Sequence, residues 1–246
     1  MENKGKFIVL DGPSGTGKST QIKILKEKFP DAVFGTEPTY KLYGAVLRAI
    51  YERRTMPEEE LQACLNYGNN LFSFWHSIHR IADQFKNGET LGELEMQLFY
   101  MADRIYDLKE NILPALSAGK MYILDRYFFS TFAIGPSGGV SFEDLLQWHL
   151  KAFEENSISS EDWKPDLAVI FDLEAKSGMD RLKSSGKVID IFEEKIERME
   201  KIRDNYRKLA ERRDLSKKVV LLDASRPIKA VADDLAGLIS SLGVIG

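Results

Sequence analysis

The run Gly12-Pro13-Ser14-Gly15-Thr16-Gly17-Lys18-Ser19, set directly after apolar Phe7-Ile8-Val9-Leu10, constrains this chain more than any other stretch. It satisfies G-x-x-x-x-G-K-[ST], the pattern of a loop that wraps its main-chain N–H groups around phosphate oxygens. Glycines permit the turn, and the helix that follows presents its N-terminus to the same anion. Lys18 supplies a point charge for the β/γ-phosphates, Ser19 supplies a hydroxyl ligand for Mg²⁺, and Thr20 is expected to join Gly12 to Ser19 in binding the nucleotide. A strand before the loop and a helix after it are the context in which this pattern means nucleotide binding.

Four further segments have strand character: Ala32 to Phe34, Met121 to Leu124, Leu167 to Phe171 and Val219 to Leu222. Helical stretches separate all five, which predicts an α/β fold: a five-stranded parallel sheet with helices on both faces. Ligands in such sheets gather beyond the carboxyl ends of the strands. Asp11, Glu37, Asp125 and Asp172 all lie there, and together they suggest metal and phosphate management.

From about Leu91 to Leu116, Leu94, Leu98, Met101, Ile105, Leu108 and Ile112 form an apolar helical stripe. Tyr100 and Arg104, four residues apart on its flank, place a ring and a guanidinium on one helix edge. Asp125-Arg126-Tyr127 closes the third strand, where an arginine can grip a phosphate bidentately. Gly135-Pro136-Ser137-Gly138-Gly139 reads as a loop before a helix that begins near Phe142. Arg181, Lys183 and Lys187 surround Ser184-Ser185-Gly186, a basic loop between two helices. A last long helix, about Phe192 to Arg212, carries Phe192, Ile196, Met199, Tyr206 and Leu209 on one face. Its pairs Glu194 with Arg198 and Glu197 with Lys201 read as a solvated surface.

Composition narrows the function further. A net charge of -4, from 34 basic and 38 acidic residues, argues against holding nucleic acid by charge. The single cysteine, Cys64, excludes an intrachain disulfide framework and suits a reducing compartment. With no cationic, apolar-cored leader and no apolar run of membrane length, the expectation is a cytoplasmic protein with no membrane partner.

The ordered set of motifs resembles the thymidylate kinase family of nucleoside monophosphate kinases. It comprises Gly12 to Ser19, Thr36-Glu37-Pro38, Ala102-Asp103-Arg104, Pro114-Ala115-Leu116, Asp125-Arg126-Tyr127 with Ser130, Pro165-Asp166-Leu167, and Ile202-Arg203 with Tyr206. The resemblance implies one kinase domain over residues 1–246, with an extended helical region at about 52–93, a lid at about 180–190, and a homodimer. It implies transfer of the γ-phosphoryl of ATP to dTMP with Mg²⁺. Tyr100 would stack on the acceptor base, Arg104 would reach its edge, and Arg126 would hold the acceptor monophosphate. Asp125 would organise magnesium and the reacting phosphates, Glu37 and Tyr40 would lie near the acceptor, and Arg181 would follow the transferring group from the lid.

The chain also departs from the family pattern. The variable loop positions are Pro13, Ser14, Gly15 and Thr16, without the acidic or arginine residue that many members carry, and Thr36 replaces an arginine. Thr131 stands where a base-reading amide is frequent, and Ile134 where a tyrosine crowds the ribose 2′-OH. Phe72, Phe74 and Trp75 fall in the extended region and are expected to pack in a core or interface. Two rival readings keep the nucleotide site: a kinase of the same fold for another deoxynucleotide or a deoxynucleoside, with Glu37 as base, and a non-enzymatic nucleotide switch.

Overall fold

All five predicted strands form, within one to two residues of their expected ends. The computed structural model describes residues 4–52, 58–68, 92–184 and 195–243. In chain order these are β1 (Phe7–Asp11), α1 (Lys18–Lys28), β2 (Val33–Thr36), α2 (Leu42–Glu52), α3 (Glu58–Gly68) and α4 (Glu93–Asp107). A π-helical turn, Leu108–Ile112, leads into α5 (Leu113–Ser117), β3 (Tyr122–Asp125), α6 (Phe128–Ser137), α7 (Phe142–Glu155) and α8 (Ser160–Trp163). Then come β4 (Leu167–Asp172), α9 (Ala175–Ser184), α10 (Ile196–Ala210), β5 (Val219–Asp223) and α11 (Ile228–Ser240).

The sheet is parallel throughout, in the order β2-β3-β1-β4-β5. β1 is central and buried along its whole length, as a continuous apolar run requires when both faces are covered. Its side chains alternate between two cores. Phe7 and Val9 join Tyr122, Leu124, Ala168 and Ile170 beneath the larger helical layer, which includes α2, α4, α6, α7 and α10. Ile8 and Leu10 join Ile123, Val169 and Phe171 beneath α1 and α11. Successive chain passages leave β1 first toward β3 and β2, then toward β4 and β5, so the carboxyl end of β1 is the topological switch point.

Two expectations about helices need correction. The helix expected over Leu91 to Leu116 is interrupted by the wide turn at Leu108–Ile112, just ahead of Pro114, which has no N–H to give an α-helical bond. Along its stripe Met101, Ile105, Leu108 and Ile112 are buried, whereas Leu94 is exposed. The loop expected from Gly135 starts later, because α6 continues through Pro136 to Ser137. Phe128, Phe129 and Phe132 bury that helix in the larger core, and Gly138 N–H and Val140 N–H both return to the Gly135 carbonyl at 2.9 and 3.1 Å. The extended region is described only as α3, so Phe72, Phe74 and Trp75 lie outside the described residues.

Candidate active site

The phosphate-loop motif occupies the switch point. Gly12 leaves β1 at φ 134°, where a Cβ would meet the Phe171 carbonyl oxygen of β4 at 2.5 Å. Gly15, at φ 78°, passes so close to α9 that a Cβ would meet the Gly178 carbonyl oxygen at 2.3 Å. The loop is therefore held between a strand end and a helix that the sequence reading did not connect with it. Lys18 is buried, and its Nζ donates to the carbonyls of Gly12 (2.7 Å) and Pro13 (2.9 Å). Thr16 Oγ1 also donates to the Pro13 carbonyl at 2.9 Å. Ser19 and Thr20 are exposed on the first turn of α1, a helix whose N-terminus at Gly17 has no side-chain cap. Uncapped amides and exposed hydroxyls beside a captive ammonium are the elements of a polyphosphate cradle.

Beneath this loop, Asp11 proves to be a structural anchor rather than the metal or phosphate group its position suggested. Its Oδ1 accepts from Gly12 N–H (2.8 Å), Ser130 Oγ (2.7 Å) and Tyr206 Oη (2.8 Å). Its Oδ2 accepts from the N–H groups of Tyr127 (2.9 Å) and Ser130 (3.1 Å). One carboxylate thus binds the loop, the start of α6 and the middle of α10. Burial, with the Asp11 charge adding to it, raises the Tyr206 phenol well above its ordinary range, so it stays a donor. Arg126 is built on this anchor. Its backbone takes the left-handed φ of 71°, unusual for a non-glycine and costing about 1–2 kcal/mol. Its N–H bonds the Leu10 carbonyl at 2.9 Å, and its guanidinium turns back over the loop. There it reaches Ser14 Oγ (2.9 Å), Ser130 Oγ (3.1 Å) and the Gly12 carbonyl (3.3 Å).

A second cluster joins β2, α4, α6 and α7. Arg104 is 0% exposed, so the open helix edge expected for Tyr100 and Arg104 does not exist in this state. Arg104 Nε and Nη2 donate to the two Glu37 carboxyl oxygens at 3.1 and 2.6 Å, Nη1 bonds His149 Nε2 at 2.6 Å, and Nη2 reaches Thr131 Oγ1 at 3.5 Å. The neighbouring Asp103 accepts from Thr39 N–H (2.7 Å) and Thr39 Oγ1 (2.6 Å). Burial pushes the Glu37 carboxyl up, while the Arg104 guanidinium donating to both of its oxygens pulls it back toward the ionised form. Burial also raises Asp103 to about 7 and Asp107 to about 6. Burial first, and the Arg104 charge second, hold the His149 imidazole down at about 3. Tyr100 is half-buried, with its hydroxyl bonded to that of Tyr51 on α2.

Comparison with known proteins assigns the family. The thymidylate kinase family model matches residues 78–235. The chain is 30% identical over 240 residues to a probable thymidylate kinase of Pyrococcus abyssi, covering 96% of each protein. It is likewise 30% identical to a probable thymidylate kinase of Thermococcus kodakarensis, over 96% of this chain and 98% of that one. A thymidylate kinase of Desulfotalea psychrophila is 32% identical over 213 residues, 85% of this chain and 83% of the relative. The chain belongs to the thymidylate kinase family.

Within this thymidylate kinase family member, the residues expected to serve two substrates fall into unequal sets. Lys18, Ser14, Gly12 and Arg126 are brought together, and Glu37, Arg104 and Thr131 form the second cluster. Ile134 is half-buried on α6. Tyr40 is 74% exposed, its ring under the Arg48 guanidinium at 3.8 Å. Asp125 ends β3 in register with Leu10 and Thr36, beside the loop. Asp172 accepts from Arg203 at 2.7 and 3.1 Å, with Arg207 at 3.7 Å, and is thus an ion-pair partner of α10.

Arg181 lies on helix α9, not in a loop as expected, and its Nη1 donates to the Ala224 carbonyl beyond β5 at 3.2 Å. Of the lid region, residues 185–190 lie outside the described residues, as do Phe192 and Glu194 of the expected long helix. Arg198 pairs across to Glu93 on α4 at 2.5 Å, so that part of α10 is a helix contact, not a free surface. His149 and Gly178 carried no local sequence signal; Ser130 and Tyr206 stood in quoted motifs without an assigned role.

Proposed function

We propose that the chain transfers the γ-phosphoryl group of ATP to dTMP, giving ADP and dTDP. The observation that carries this reading is Arg126. Standing on the anchor Asp11–Ser130, it bonds Ser14 inside the phosphate loop, so an acceptor-side guanidinium and the donor cradle form one hydrogen-bonded unit. An ionised phosphate oxygen of dTMP attacks the γ-phosphorus, the bond to the β-phosphate oxygen breaks, and no general base is needed. Lys18 and Arg126 bear the charge that spreads over the transferring group.

Arg104 has spent four of its five N–H groups, and the one left on Nη1 can only donate. It would donate to a 4-carbonyl such as thymine's and finds no acceptor in a 4-amino group, with Thr131 beside it. Because Arg104 is enclosed, the acceptor pocket opens before the base enters. Both Glu37 oxygens are on Arg104, which disfavours Glu37 as the base for a nucleoside hydroxyl.

The residues present suit magnesium. Ser19 is exposed on the first turn of α1 and Asp125 ends β3 beside the loop, two oxygen donors of the kind taken by an ion that keeps several waters and is held by one or two protein oxygens plus the phosphates. Bound there, it would neutralise the β- and γ-phosphate oxygens.

The test is ADP release with ATP and Mg²⁺ across dTMP, dUMP, UMP, dCMP, dGMP, dAMP and thymidine. dTMP leads the panel. Ile134 rejects an added 2′-hydroxyl only weakly, so the preference for dUMP over UMP stays at or below about a hundredfold. Turnover confined to purine monophosphates, or to thymidine, overturns the assignment.

A further inference from the structure

The buried imidazole on α7 does something Glu37 does not already do. Glu37 already supplies the bidentate counter-charge for Arg104, whose field also reaches Asp103 and Asp107, and a neutral imidazole adds none. What His149 adds is direction. A guanidinium has only donors, so at 2.6 Å from Nη1 the His149 Nε2 must accept. The ring proton therefore sits on Nδ1 and donates to the Leu145 carbonyl at 2.7 Å. The ring is fixed edge-on by Phe132 at 5.1 Å and Phe153 at 6.1 Å, and is 2% exposed. Glu37 takes Nε and Nη2 on one side of the guanidinium, and Tyr127 covers a face with its ring centroid 5.1 Å away. His149 takes one Nη1 proton from the other side.

We propose that His149 is a positioning residue for acceptor-base selection: by holding one Nη1 proton of Arg104, it leaves the other as the single donor directed at the base edge. The inference rests on the dTMP reading above. A core histidine kept only for packing would be replaceable by a ring of the same shape; a positioning acceptor is not. The chemistry it serves is a pyrimidine with a carbonyl at position 4.

His149→Phe keeps a ring and removes the acceptor, whereas His149→Gln keeps a side-chain oxygen near the place of Nε2. Steady-state kinetics with ATP against dTMP and dCMP, with melting temperatures of each variant, tests the proposal. Loss of a hydrogen bond to a charged group predicts a dTMP KM raised about tenfold in His149→Phe, with kcat and the ATP KM within about twofold. The preference for dTMP over dCMP shrinks with it, and His149→Gln recovers most of both losses. A folded His149→Phe enzyme with wild-type dTMP KM and base preference overturns the proposal. So does a glutamine variant as impaired as the phenylalanine one, with all constants changing in step with melting temperature. Should His149→Phe not fold, His149→Asn carries the same test, since its amide stays on the Nδ1 side and leaves Nη1 unheld. Absence of dTMP turnover in the unaltered enzyme refutes the functional reading itself, and the role of His149 with it, before any variant is made.

Discussion

The donor cradle and the buried arginine cluster solve opposite problems. The cradle is made from consecutive residues and mostly from backbone: three glycines at positive φ, an uncapped helix start, and an ammonium resting on loop carbonyls. The cluster is made from side chains of four separate elements, and its central cation is wholly enclosed. A cradle that must admit a highly charged ligand keeps its hydroxyls exposed on the first turn of α1 and rests its buried ammonium on the loop's own carbonyls. A cluster that must discriminate one flat ring from another puts its charge in low dielectric, where each missing partner is costly. Substitutions in the cradle should therefore change rate more than stability, and those in the cluster should change stability as well.

The largest effect expected is on the cluster side. Arg104→Met strands Glu37 in the interior without its partner and should cost about 3–5 kcal/mol, a drop of roughly 10 °C in melting temperature for a chain of this size. Thermal unfolding followed by circular dichroism measures it, and a shift under a degree or two would break the comparison. Next comes Lys18→Ala, which should lower kcat by about 10²–10³ while the melting temperature stays within a few degrees. A large fall in melting temperature there would mean that the cradle too is part of the load-carrying core.

The smallest effect sharpens the comparison through pH. His149 has its pKa lowered to about 3 in the folded state from an ordinary 6.5, so the unfolded chain binds the extra proton as the pH falls below 6.5. Stability from this group is full above 6.5 and is lost on acidification, by about 1 kcal/mol over the first pH unit. Asp103 and Asp107, raised by burial from an ordinary 3.8 to about 7 and 6, have the opposite sign: between those values the folded chain keeps protons that the unfolded chain has lost, so stability falls as pH rises from about 3.8 and levels off above the folded values. Melting curves of the unaltered protein and His149→Phe across the acid range isolate the histidine contribution. Equal acid slopes would show that His149 is no more shielded than a surface histidine.

What was legible in the sequence follows the same division. The phosphate loop needs only local chemistry, so a short pattern finds it. The strands announced themselves as apolar runs because a parallel sheet covered on both faces has no polar side to alternate with. Their adjacent acidic residues were legible as a set, but the side-chain partners of each were not. Asp11 became an anchor, Glu37 a partner of Arg104, and Asp172 a partner of Arg203. Nothing local distinguishes a carboxylate that meets a ligand from one that meets an arginine far along the chain.

The sequence by itself therefore determined the five parallel strands, the residues that follow their carboxyl ends, the cradle around Lys18 and the family. Each depends on a continuous apolar run, on a glycine at a given offset, or on motifs in a given order. Only the tertiary structure decided that Arg126 stands on Asp11, Ser130 and Tyr206, that Gly178 closes on the phosphate loop, and that His149 faces Arg104. These partners lie 45 to 195 residues apart in the two hydrogen-bonded cases, His149 with Arg104 and Tyr206 with Asp11. Directional bonds between such distant groups exist only after the apolar layers have packed and fixed where each helix stops.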